Sequence, residues 1–392
     1  MPTEDEMTVT ERRKYLKRMK PLYIKANRRE QSRLLTEMEQ VTGLHRQSVL
    51  RLLHAPTLQR KKREKGRGRT YGLAVEQAIL VVWESLDFIC AERLTPTLLC
   101  TARHLARFGV LHLSKEVEKQ LAEISEATVT RILRKYRSCK HRLPQKGPER
   151  ANQVRKPVPM KRIPWETSEP GHFEVDLVQH SGESSEGIYA FTLQMVDVAT
   201  GWSERVAVLG KGQLAMEGGF RRILERLPFA VKELHPDNGT EFFNHHLVRF
   251  WGEAITGLKL SRSRPYQKND NRFVEQKNAT LVRQYFGTSR LETAEHVQAM
   301  NVLYDKMWLY YNFFQPVMHL QEKIYQEDQM IRHWDQAQTP YQRLVATGVL
   351  GSDQLAPLQA LYEQTNPMTL RKEIYRLLSA LWQPPTAATH VA

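Results

Sequence analysis

Two rhythms of hydrophobic positions divide this chain. Up to about residue 137 apolar residues recur every three or four positions, as on one face of a helix. From Gly171 they alternate singly, as in a strand with two unlike faces. In the first part the spacing predicts a basic helix over Glu11–Lys20 that stops near Pro21. A second helix follows over Ser32–Gln40, with Leu34, Leu35 and Met38 inward, then a Gly43 turn and a third helix over Gln47–Leu53. Helix, short glycine turn, helix is the grammar of a helix-turn-helix, and an ordinary helical hairpin reads the same way. If the first reading holds, Arg46, Gln47, Ser48 and Arg51 are the side chains offered to a DNA groove. From Leu73 to Tyr136 the helical pattern returns, with Ser85–Ile89, Thr97–Leu105 and Lys115–Leu121 as periodic pieces. It closes with a helix that Ser125 would cap and that ends in Arg131, Arg134 and Lys135, a second recognition helix by the same reasoning.

Beyond Gly171 the alternation in HFEVDLVQH turns Phe173, Val175 and Leu177 one way and Glu174, Asp176 and Val178 the other. IYAFTLQMVDV, a turn through Gly201 and WSERVAVL complete an antiparallel meander. Then come a helix over Gln213–Leu227, a short strand ending in HPDNG, a helix through EFFNHHLVRFWGEA, a fifth strand in GLKLSRS, and a helix over Asn269–Phe286. Three antiparallel strands followed by alternating strands and helices predict an α/β sheet of ribonuclease-H type. Ser289–Phe314 is helical and aromatic, and residues 316–392 read as a helical tail ending in an unstructured QPPTAATHVA. The expected organisation is therefore multidomain: 1–70 a helix-turn-helix module with a basic arm, 71–137 a second such module, 138–169 a basic proline-rich linker, 170–315 the α/β core, and 316–392 the tail.

Charge sharpens this division. Residues 1–169 hold 36 Lys and Arg against 19 Asp and Glu, so the remainder of the 58 and 43 is 22 against 24. An excess confined to the front of the chain suits a polyanionic partner, because each neutralised phosphate releases counterions. The run Arg60, Lys61, Lys62, Arg63 is too charged for a core element and reads as a phosphate-binding arm. The longest apolar run, Ala78–Trp83, is far too short for a membrane span, and MPTEDEM is no secretory signal. Cys90, Cys100 and Cys139 form no CxxC pair, which excludes a disulfide framework and a cysteine-rich zinc module and fits a reducing compartment. A cytoplasmic protein without a membrane partner is the expectation.

Three carboxylates stand where chemistry could use them: Asp176 in the first strand, Asp237 at the end of the fourth, Glu275 on the helix after the fifth. Taken singly, each has a plainer reading: an edge acid, turn chemistry in HPDNG, and a solvated helix acid. Taken together they make a cluster of hard oxygen ligands that suits two Mg²⁺ or Mn²⁺ ions beside a phosphodiester. Asn271, Glu275 and Asn278 share one helical face, with Asn238 beside Asp237 as a further supporting group. Arg262, Arg264 and Lys268 lie between strand and helix, where phosphates would reach the site, and Lys277 is either a DNA contact or a solvated lysine. His235, His245 and His246 read as structural, Trp202, Phe242 and Phe243 as core, and Tyr310 and Asn312 as groups that could approach DNA.

EVDLV, TLQMVDVATGW, HPDNGTEFFN, SRSRPYQKNDNRFVEQKN and NFFQPVMHL together resemble the integrase-like DDE transposases of bacterial insertion sequences, which share a fold with retroviral integrases. The likeness spans about Pro170 to Gln315; the flanking regions match more loosely. It implies that Asp176, Asp237 and Glu275 are the catalytic triad. It also implies Mg²⁺-dependent cleavage of transposon ends and attack of the freed 3′-hydroxyl on target double-stranded DNA, carried out by a homo-oligomer. Two departures stand out: 37 residues separate Asp237 from Glu275, a slightly wide gap, and no zinc module precedes the core. Two other readings remain, a catalytically inactive relative acting as a DNA-binding regulator and a structure-selective nuclease on the same fold.

Overall fold

The computed structural model describes residues 7–58, 70–136, 168–236, 245–261, 272–326 and 329–382. The chain divides into two compact units, Met1–Thr70 and Tyr71–Ala392.

The first unit holds three helices. In α1 (Val9–Lys25) the Thr8 hydroxyl accepts the Glu11 N–H while Glu11 accepts the Thr8 N–H, a reciprocal cap. The helix does not stop at Pro21 but runs a turn further. Pro21 sits on the exposed side, where the carbonyl deprived of its partner can be hydrated. Asn27 and Glu30 cap α2 (Arg28–Thr42) in the same reciprocal way, and Gly43, at φ 64°, ends it in the left-handed conformation glycine adopts without strain. After α3 (Arg46–His54), the core closes on Leu16, Tyr23, Leu35, Met38, Val49 and Leu53. In so small a core a leucine-to-alanine change would cost about 2–5 kcal/mol.

The second unit opens with α4 (Leu73–Ser85), α5 (Ala91–Leu94), α6 (Leu98–Arg107), α7 (Lys115–Glu123) and α8 (Glu126–Arg134). Ser125 caps α8, as its sequence position suggests, by accepting the Thr128 N–H. The helical piece expected over Ser85–Ile89 is instead a turn in which Asp87 and Phe88 both take positive φ. The strain is held from outside: the Asp87 carboxylate accepts bonds of 2.9 Å from Arg371 Nε and from the Tyr375 hydroxyl, and Phe88 packs edge-on to Trp83. These five helices share one hydrophobic core with the sheet that follows, so in packing terms they do not form a separate body.

That sheet has five strands, β1 (His172–Gln179), β2 (Ala190–Asp197), β3 (Ser203–Leu209), β4 (Glu233–Pro236) and β5 (Lys259–Leu260), in the order β3-β2-β1-β4-β5. β1, β2 and β3 are antiparallel neighbours, while β4 and β5 run parallel to β1 on its other side. This mixed five-stranded sheet, with a meander on one side and crossover strands on the other, agrees with the integrase-like core expected from the sequence. Period-two alternation gives it two unlike faces. Phe173, Val175, Leu193, Met195, Val206 and Val208 pack against α9 (Gln213–Arg226) and α10 (His245–Ala254). The opposite face, through Val178, Ala190 and Ala207, is covered by a continuous helical stretch. That stretch is α11 (Arg272–Lys277), π-helical turns (Asn278–Arg283) and α12 (Gln284–Phe286), joined on the same side by α13 (Ala294–Leu309).

The expected helical tail is only partly helical. After π-helical turns at Tyr310–Phe314 the chain forms a hairpin, β6 (Leu320–Gln326) with β7 (Gln329–Trp334), before α14 (Pro340–Ala346), α15 (Ser352–Gln364) and α16 (Pro367–Leu381). Met330, Ile331 and Trp334 are substantially exposed, so neither hairpin face carries the clean alternation that would have announced it. Ile374 and Leu378 of α16 close the core over α13.

Candidate active site

The site grows out of one face of β1. Glu174 and Asp176, two residues apart, point to the same side, and the register continues that row across the sheet as Asp176, Gln194 and Arg205. Above the row lies the helix beginning at Arg272. Two hydrogen-bonded connections tie it down. The buried Glu174 accepts, through one carboxylate oxygen, the backbone N–H groups of Phe273 at 2.7 Å and Val274 at 2.9 Å. One turn further on, Asn278 Nδ2 donates to Asp176 Oδ2 at 2.5 Å, while Asp176 Oδ1 accepts the Leu177 N–H at 2.8 Å. Glu275, exposed, stands between these two attachments. On the other flank Pro236 of β4 pairs with Val175, the residue before Asp176. Asp237 is next in sequence but lies outside the described residues. Among the described residues no three His, Cys, Asp or Glu side chains come together as a metal site.

The electrostatics follow from burial. Glu174 is pushed up to about 7, chiefly because burial disfavours its charge; the two backbone donors and Arg272 oppose this, and Glu275 adds to it. Lys277 is pushed down to about 7 by burial and then by the cationic neighbours Arg93 and Arg205. It is half-buried, so a freely solvated lysine does not describe it. Arg205, fully buried, is drawn down to about 10; its Nη2 donates to Ser203 Oγ at 2.7 Å, while Nε and Nη1 make no hydrogen bond. Both amide atoms of Gln194 are likewise buried without a hydrogen-bond partner. Behind the carboxylates, then, the sheet holds a polar row that is costly to bury.

Several of the residues expected at DNA also bond within the protein. Arg46 is committed to α2, donating to Thr36 Oγ1 at 3.2 Å and Ser32 Oγ at 3.1 Å, so it fixes α3 at an angle to α2. Gln47 and Arg51 are exposed on α3 and Ser48 is half-exposed. On α8, Arg131 and Arg134 are exposed, whereas Lys135 closes a 2.7 Å ion pair with the buried Glu76. Tyr310 and Asn312, read as groups able to approach DNA, are buried: the Tyr310 hydroxyl donates to the Ser85 carbonyl, and Asn312 bonds both the N–H and C=O of Ser203. Trp202 is core, and His235 is structural, its Nδ1 2.8 Å from Ser261 Oγ. The side chains of His245 and His246 lie outside the description, as do Arg60, Lys61, Lys62, Arg63, Asn238, Phe242, Phe243, Arg262, Arg264, Lys268 and Asn271. Sequence reasoning gave no role to Glu174, Gln194 or Arg205. The period-two pattern does place Glu174 on the Asp176 face, the one signal that could have marked it.

No family model matches the chain. It is 35% identical over 302 residues to the uncharacterized protein y4rM of Sinorhizobium fredii, a match covering 77% of this chain and 85% of that one. Among solved structures it is similar to the catalytic core domain of BIV integrase, at 16% identity over 45% of this chain and 95% of that one, with a TM-score of 0.29. It is similar also to a simian T-cell lymphotropic virus intasome in complex with PP2A regulatory subunit B56 gamma, at 13% identity over 56% of this chain and 72% of that one, with a TM-score of 0.31. The fold is defined by the strand order β3-β2-β1-β4-β5 and its register.

Proposed function

The chain belongs to the family of y4rM, and we propose that it is a DDE-type DNA transposase that cuts and joins the ends of an insertion sequence. The observation that carries this reading is the attachment of the Glu275 helix to the Asp176 strand through Asn278 and Glu174, beside the strand whose next residue is Asp237. A surface acid needs no such fastening; an acid that must meet two others at a fixed distance does. Asp176, Asp237 and Glu275 are hard oxygen donors of the kind that hold two Mg²⁺ ions, with Mn²⁺ as an alternative. Such ions, when bound, supply an activated hydroxyl and stabilisation of the leaving oxygen.

The rest is the work of this chain's own side chains. Asn278 fixes one oxygen of Asp176 and leaves the carboxylate's orientation defined before DNA arrives. Arg262, Arg264 and Lys268, between β5 and the Glu275 helix, would neutralise phosphates near the cut, and Arg60, Lys61, Lys62 and Arg63 would do so along the duplex. Gln47 and Arg51 on α3, with Ser48 beside them, and Arg131 and Arg134 on α8 are the exposed groups that would read base edges. Two ends must be joined, so the working form is a homo-oligomer on DNA.

The test uses duplexes carrying the repeats that flank the gene. With Mg²⁺ the protein should nick and join them, and Asp176→Asn should abolish joining while leaving duplex affinity intact. Undiminished joining by that variant would remove Asp176 from the chemistry. Tight binding by the wild type with no strand cut under Mg²⁺ or Mn²⁺ would mark a DNA-binding regulator instead.

A further inference from the structure

We infer that Glu174 is a positioning residue for Glu275: together with the Asn278–Asp176 bond it clamps the helix along β1 and sets the height of the third carboxylate. The inference rests on the transposase reading above.

The geometry argues for a clamp rather than a simple cap. The first N–H groups of a helix need acceptors, and an exposed Ser, Thr or Asn just before the helix ordinarily supplies one at little cost. Here the acceptor is a buried carboxylate roughly a hundred residues earlier in the chain, on the strand that carries Asp176. Burying a carboxylate is expensive, so this is a poor way merely to satisfy two amides. What it adds is a link between helix and strand. The two links also match in spacing. Residues two apart on a strand are separated by about 6.7 Å, and the four residues from Val274 to Asn278 rise by about 6 Å. The helix therefore meets β1 at two points of similar separation, and Glu275 sits between them. With the Glu174 link gone the helix can pivot about Asn278, and Glu275, most of a turn away on the released side, is displaced with it. Arg272 and Glu275 both bear electrostatically on Glu174, which places all three in one neighbourhood.

The test compares Glu174→Ala, Glu174→Gln and Glu174→Asp in the full-length protein, with wild type and Asp176→Asn as references. The readouts are end-cleavage rate, Mg²⁺ needed for half-maximal rate, duplex affinity and melting temperature. The alanine variant should cleave about 100-fold more slowly, the loss carried by roughly an ångström of misplacement. Its Mg²⁺ requirement should rise about tenfold, as when an outer partner of a metal ligand is removed, with duplex affinity unchanged. Glutamine, whose amide oxygen can accept the same two N–H groups, should restore most of the rate. Aspartate, one methylene short, should remain folded yet slow. If alanine does not fold, the glutamine–aspartate contrast decides alone. A wild-type rate in the alanine or aspartate variant, or equal losses in glutamine and alanine, would overturn the clamp. Either result with an active wild type and an inactive Asp176→Asn leaves the transposase reading standing; an inactive wild type would sink that reading instead.

Discussion

Replacing Arg226 by methionine should destabilise the second unit through a carboxylate it leaves behind. Glu204 is fully buried on β3, on the face away from Asp176. Its Oε1 accepts the indole N–H of Trp202 at 2.9 Å and of Trp308 at 2.6 Å, and its Oε2 accepts Arg226 Nε at 2.8 Å and Nη2 at 2.7 Å. Arg226 also reaches Asp305 at 2.8 Å and the Arg205 carbonyl at 3.2 Å, so it joins α9, β3 and α13. Breaking a buried ion pair from one side costs about 3–5 kcal/mol, because the remaining charge is stranded. The two indole donors persist, and Arg226 keeps some exposure, so the lower figure, ~3 kcal/mol, applies. Unfolding entropy of about 2.1 cal/mol/K per residue, over the roughly 300 residues of this unit, gives ~0.6 kcal/mol/K and a fall in Tm of about 5 °C. Calorimetry of wild type, Arg226→Met, Glu204→Gln and the double variant measures both the loss and the coupling. The double variant should be more stable than Arg226→Met, since no buried charge is stranded. A Tm within about 1 °C of wild type for Arg226→Met, less than ~1 kcal/mol on the same scale, or zero coupling in the cycle, would show that Arg226 does not neutralise Glu204.

Two further outcomes follow from other residues. Asn278→Leu keeps the size of a buried side chain but removes its bond to Asp176. A hydrogen bond to a charged group is worth about 1.5–3 kcal/mol, so plasmid nicking with Mn²⁺ should fall roughly 10- to 150-fold at unchanged DNA affinity, and an unaltered rate would show that the bond does not orient Asp176. His180 is buried, its Nε2 lies 2.8 Å from Thr192 Oγ1, and burial pushes it down to about 3. An unfolded histidine titrates near 6.5, so the unfolded chain takes up a proton first as pH falls. The stability is complete above about pH 6.5 and is lost toward pH 3, by on the order of 5 kcal/mol. His180→Gln should flatten that acid slope in melting experiments, and identical slopes would contradict it.

What the sequence displayed and what it hid differ in physical kind. The alternation in HFEVDLVQH and its two successor strands was legible because a half-buried strand imposes it residue by residue, and it located Asp176 correctly on β1. The Ser125 cap was legible for the same local reason. Hidden features depend on distant partners. Pro21 looks like a stop, yet an exposed helical face tolerates it. Ser85–Ile89 looks helical, yet Arg371 and Tyr375 hold it in a left-handed turn. Arg46 and Lys135 look like free cations in the sequence, yet Arg46 bonds Ser32 and Thr36 and Lys135 pairs with Glu76. Glu174 shows its face in the pattern, but nothing in the pattern says that a helix about a hundred residues later will set its first turn on it. The β6–β7 hairpin carries no clean period because both of its faces are partly exposed.

The proposed chemistry requires that Asp176, Asp237 and Glu275 converge on divalent ions. Titrating Mn²⁺ into the full-length protein, and into Asp176→Asn, Asp237→Asn and Glu275→Gln in turn, with bound ion counted by electron paramagnetic resonance, measures it directly. Saturable binding of two ions by the wild type is expected, with a loss of binding in each single variant and all three melting as the wild type does. Undiminished Mn²⁺ binding by any one of the three would contradict the convergence.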